Sequence, residues 1–113
     1  MKRSSRLFIA DILESIERIE KYTRKATQKE FLDNTALQDA VIRRFEIIGE
    51  ATKNIPLKIK QENPEIPWKQ MAGMRDVLSH EYFGITMKRI WDAARKDLPK
   101  LKKQIAQLLE KSS

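Results

Sequence analysis

Apolar positions recur at three- and four-residue intervals along most of the chain, which is the signature of helices with one buried face. Ile9, Ile12, Leu13, Ile16, Ile19 and Thr23 predict a first helix over about 5–26. Glu14–Arg18 and Glu17–Lys21 lie on its outer side, acid four residues before base, the order that supports a helix. The polar stretch 27–34 reads as a connection, partly helical around Phe31-Leu32, and Asp33-Asn34-Thr35 offers capping side chains. Leu37, Val41, Phe45, Ile48 and Ala51 predict a second long helix over about 35–55. Arg44 falls on its apolar side, where it must snorkel, pair with a carboxylate such as Glu46 or Glu50, or reach an interior site. Gly49 is mid-helix, a position where glycine costs about 1 kcal/mol against alanine, so close approach of another helix is expected there. Residues 56–67 hold three of the four prolines and read as a short helix or turn plus loop. Pro67 is a good first helical residue for a third main helix over about 67–80, with Trp68, Met71, Met74 or Arg75, and Leu78 inward.

From near Thr86 the series Met87, Trp91, Ala94, Leu98, Leu101, Ile105, Leu108 alternates steps of four and three without a slip. Pro99 interrupts it, so either the helix kinks there or it restarts with Asp97 as N-cap. Only 3 glycines and 4 prolines in 113 residues argue against a strand-and-turn fold. The expectation is an all-α, up-down bundle of four to five helices forming one domain, 1–113.

Charge and composition narrow the chemistry. Lys and Arg number 23 against 16 acidic residues, giving +7. The excess sits at the ends: +4 over 1–29, −2 over 30–85, +5 over 86–113. Basic surfaces attract polyanions, although basic helices are also simply solvated faces. Cysteine is absent and histidine occurs once, which excludes disulfides, thiolate metal sites and a His-rich metal site within one chain. No metal or cofactor is expected. No apolar run approaches membrane-spanning length, and the basic start leads into an amphipathic stretch with carboxylates, unlike a secretory signal. A cytoplasmic protein without membrane association is the expectation.

The chemistry-bearing groups converge in Arg75-Asp76-Val77-Leu78-Ser79-His80-Glu81-Tyr82. His80 titrates nearest neutrality and Arg75 is a permanent cation with a phosphate-matching fork. A base beside a phosphate clamp is the minimum kit for cleaving RNA through its own 2′-hydroxyl. Asp76 and His80, four apart, share a helix face, where the carboxylate could fix the ring tautomer. Arg75 and His80 diverge by roughly 140° on a straight helix, so a shared site requires the helix to end near His80, for which Phe83-Gly84 supplies a stop. Structural readings stand beside this one: His80 as a cation at a helix C-terminus, Tyr82 as a packing residue, Arg75 as a surface charge.

Arg75, four residues, His80, one residue, Tyr82 resembles the Arg-x4-His-x-Tyr signature of HEPN-domain proteins, in particular the HepT toxin family. Asp76 fits the polar residue that follows the arginine. The stretch from Arg43 to Ala51 is similar to that family's Arg…Ile-Gly-Glu-Ala helix. Pro67-Trp68, Trp91 and Asp97-Leu98-Pro99 agree too. The resemblance implies a metal-independent endoribonuclease toxin with Arg75 and His80 catalytic, Asp76 supporting, and Arg44 and Glu50 lining the site. It implies a homodimer with the signature near its interface, RNA as substrate, and an MntA-type nucleotidyltransferase antitoxin as partner, silencing the toxin by AMPylation of Tyr82. The other function the resemblance leaves open is a non-catalytic helical subunit of a minimal nucleotidyltransferase.

Overall fold

The computed structural model describes residues 4–79 and 86–112, with 76–79 as backbone alone. It is an all-α bundle: α1 Ser5–Thr23, α2 Gln28–Asp33, α3 Thr35–Lys53, α4 Leu57–Glu62, α5 Trp68–Ser79, α6 Met87–Asp92 and α7 Leu98–Lys111, with a π-helical turn, Ala93–Asp97, joining the last two. The buried apolar residues form one cluster. It is built from Ile9, Ile12, Ile16 and Ile19 of α1, Val41, Phe45 and Ile48 of α3, Trp68 and Met71 of α5, and Leu98, Leu101, Ile105 and Leu108 of α7.

Local chemistry sets the helix starts. Ser4 caps α1 by accepting from the Leu7 amide, and Asn34 caps α3 by accepting from that of Leu37. Thr27 and Glu30 form a reciprocal capping box on α2. That box extends the partly helical connection expected around Phe31-Leu32 to a helix over Gln28–Asp33, whose Phe31 is fully buried, its ring 5.4 Å from that of Trp91. At the head of α5 the Met71 amide donates to the Pro67 carbonyl, while Trp68 Nε1 donates to the Asn63 carbonyl at 2.9 Å. Thr86 caps α6 through the Arg89 amide.

Pro99 neither breaks the last helix nor leaves Asp97 as a capping side chain. The Leu98 amide donates five residues back, to Ala93. This widened turn accommodates a residue that lacks an N–H and would crowd the preceding turn, and the apolar stripe continues through it.

Polar cross-links fix α1 against α7. Arg6 Nη1 donates to the Leu109 carbonyl at 2.7 Å, and Lys102 Nζ lies 2.9 Å from Glu20 Oε1. The start of one helix therefore meets the end of the other, so the two are antiparallel. Glu20 holds the Lys102 ammonium above its usual range by hydrogen bond and charge. Helix α3 packs between α1 and α5. Among the described residues no helix is long and apolar enough to cross a membrane.

Candidate active site

Arg75 reaches its place because of a missing side chain. A methyl group built on Gly49 would lie 2.7 Å from the Arg75 amide nitrogen and 2.9 Å from Arg75 Cβ. Only glycine lets the backbone of α5 come this close to α3. The residue after Gly49, Glu50, then meets Arg75 directly, with Nε 3.1 Å from Oε2. Both side chains are about half exposed, 49% and 57%. An ion pair this wet contributes at most about 1 kcal/mol, so its main effect is to orient the guanidinium.

Beside the pair lies an open cleft of about 420 Å³ lined by Phe8, Asp11, Arg43, Glu46, Ile47, Glu50, Ala51 and Arg75. Of the residues expected at the site, the structure brings Arg75 and Glu50 together. Arg44 is half-buried and is not part of this lining; its neighbour Arg43 is. The missed signal was available. Arg43, Glu46, Ile47 and Glu50 stand at i, i+3, i+4 and i+7, a second stripe on α3 beside the apolar one. The Asp76 side chain, His80 and Tyr82, the Phe83-Gly84 helix stop and the side chain of Leu78 lie outside the described residues. The described part of α5 runs to Ser79. Among the described residues no group of three or more His, Cys, Asp or Glu is placed to hold a metal ion.

A helical bundle that pins an arginine against a glutamate of the neighbouring helix, at the edge of a polar cleft, defines a domain that holds a cation where an anionic ligand can reach it. The comparisons specify the class. Residues 12–108 match the family model described as Ribonuclease HepT-like, and the chain belongs to that family. It is 48% identical over 108 residues to a protein of Thermococcus cleftensis described as "Probable ribonuclease HepT", covering 96% of this chain and 98% of that one. It is 46% identical over 110 residues to "Gamma-glutamylcyclotransferase and putative RNase MJ0434" of Methanocaldococcus jannaschii. There it covers 97% of its own length but spans only 50% of the relative. No solved structure matches the chain significantly.

Proposed function

We propose that this HepT-like ribonuclease is the toxin of a toxin–antitoxin pair, a cytoplasmic endoribonuclease that works without a metal. The observation that carries the reading is the placement of Arg75: Gly49 admits its backbone and Glu50 holds its guanidinium at the cleft edge. The family signature supplies the remaining roles. His80 takes the proton of the 2′-hydroxyl, and that oxygen attacks the adjacent phosphorus. Arg75 holds the phosphate and its developing charge. The bond to the 5′-oxygen breaks, that oxygen takes up a proton, and the products are a 2′,3′-cyclic phosphate and a 5′-hydroxyl. Asp76 would set the His80 tautomer.

One imidazole cannot be base and acid in the same step, and a two-fold dimer brings a second. The toxin reading therefore includes a homodimer with both copies of His80 in one cleft. A nucleotide attached to Tyr82 by an MntA-type antitoxin would add negative charge beside Arg75 and bar RNA by bulk and repulsion. The test is cleavage of RNA by the pure protein in EDTA, with end-group analysis. Cyclic phosphate ends, lost in His80→Ala, are expected. Absence of cleavage would favour the accessory-subunit reading. Intact mass after incubation with ATP and the transferase should show one AMP on wild type and none on Tyr82→Phe; equal labelling of both would remove Tyr82 from the mechanism.

A further inference from the structure

Helix α5 has a second flank. Across from it stand α6, the π turn and α7, and the space between is an open groove of about 940 Å³. Its deepest residues, Phe45, Met71, Leu98 and Leu101, belong to the core. Higher on the walls, half-buried Pro67, Met74 and Ala93 present apolar surface. The rims are cationic: Lys69 on α5, and Arg89, Lys96 and Lys100 opposite, all exposed. Three carboxylates also line the groove. Of these, Asp92 is held by Lys88 at 3.1 Å and Lys96 at 3.7 Å, which keep its carboxyl below the usual range. Lys88, from outside the lining, and Lys96 hold Asp92 between them, so the other rim cations, Lys69, Arg89 and Lys100, face Glu65 and Asp97 as the remaining acids.

Gly73 is the second observation. Gly49 has a reason inside the chain, because Arg75 occupies the space of its side chain. Among the described residues, a Cβ on Gly73 would meet nothing within 4 Å. It lines the groove, so among the described residues the helix backbone there is bare toward the groove.

We infer that this groove is a track for single-stranded RNA, holding the strand that flanks the scissile phosphate. This rests on the ribonuclease reading above. Cations on both rims suit a phosphodiester backbone, and apolar walls between them suit unstacked bases. Gly73 is where the strand comes closest to the helix. Met74, in the same wall, is the chain neighbour of Arg75. A second copy presenting this same face fits less well, since Lys69, Arg89, Lys96 and Lys100 would be set against their own counterparts.

The probe is a short fluorescent 2′-O-methyl RNA strand, which lacks the attacking hydroxyl and stays intact, followed by anisotropy against salt. Lys69→Glu/Lys100→Glu should weaken binding about tenfold or more and lower the log–log salt slope by about 1.4, the value for two lost phosphate contacts on a single strand. The same charge change at Lys21→Glu/Lys25→Glu, away from the groove, should move affinity far less. Gly73→Trp, which fills the groove and alters no charge, should also weaken binding while far-UV circular dichroism stays that of the wild type. The assignment is overturned if the groove pair binds like the control pair, or if Gly73→Trp binds like wild type. It is also overturned if light scattering shows that the groove variants dissociate a wild-type assembly, which would make the face an interface between copies. Cleavage of the unmodified strand separates the two readings. A wild type that cleaves it while the groove variants bind normally refutes the track alone. A wild type that binds but never cleaves it refutes the ribonuclease reading.

Discussion

Glycine-to-alanine at Gly49 and at Gly73 is the same chemical change in two helices, yet the structure predicts opposite signs. Removing a mid-helix glycine restores about 0.5–1 kcal/mol through the conformational freedom of the unfolded chain. At Gly73 no described residue opposes that gain, since none places an atom within 4 Å of the new methyl. At Gly49 the methyl would sit 2.7 Å from the Arg75 amide nitrogen and 3.2 Å from its Cα. These are backbone atoms, so relief requires α5 as a whole to move off α3. Forced overpacking of this kind costs about 1–3 kcal/mol, leaving a net loss of about 0.5–2 kcal/mol. In a chain of 113 residues each kcal/mol corresponds to about 4–5 °C. Gly73→Ala should therefore raise Tm by about 2–5 °C and Gly49→Ala lower it by about 2–10 °C, read by circular dichroism and checked by urea midpoints. Shifts of the same sign and size in both variants would refute the close approach, and with it the account of how Arg75 is placed.

Three further expectations follow from individual contacts. Phe31→Ala empties a fully buried site against Trp91 and should cost about 3–5 kcal/mol in urea unfolding, with a change in tryptophan emission; a loss under about 1 kcal/mol would mean that α2 is not part of the core. Glu50→Gln removes the charge that orients Arg75 from a half-exposed pair, so Tm should move by no more than a few degrees while cleavage falls about tenfold or more; wild-type turnover would show that the pair is ornamental to the chemistry. Asp92 is held charged below its ordinary 3.8, first by the hydrogen bond from Lys88 and then by the charges of Lys88 and Lys96, against the opposing effect of partial burial. A lowered folded-state pKa gives stability that is present above that value and disappears as pH falls through the folded pKa. The Tm difference between wild type and Asp92→Asn should accordingly persist at neutral pH and close in acid below pH 3.8; a difference that is unchanged in acid contradicts the pairing.

The bundle was legible because its helices carry their own periodicity. The α1 stripe and the stripe from Trp91 to Leu108 are buried as the spacing predicts, and Gly49 announced the helix contact it makes. The π turn was not legible, since it reflects how the backbone absorbs Pro99 rather than any side-chain pattern. The stretch 28–33 was legible only as partly helical around Phe31-Leu32, because six residues are too few to show a period; the capping box Thr27…Glu30 was the sign of its full extent. At the site, sequence fixed the residue types but not their pairing. Glu50 and Arg75 are 25 positions apart and meet through tertiary packing. Arg43, not Arg44, lines the cleft because the lining uses the polar stripe of α3 beside its apolar one.

The central claim is that Arg75, placed by Gly49 and Glu50, works with His80 to cleave RNA through its own 2′-hydroxyl. It is tested most directly by single-turnover cleavage in EDTA of one RNA strand and its all-2′-deoxy counterpart, using wild type, Arg75→Ala and His80→Ala. The account predicts that wild type cuts only the ribose strand, leaving 2′,3′-cyclic phosphate ends, and that both variants keep the helical fold and lose cleavage. Cleavage of the deoxy strand, or undiminished cutting by either variant, would contradict it.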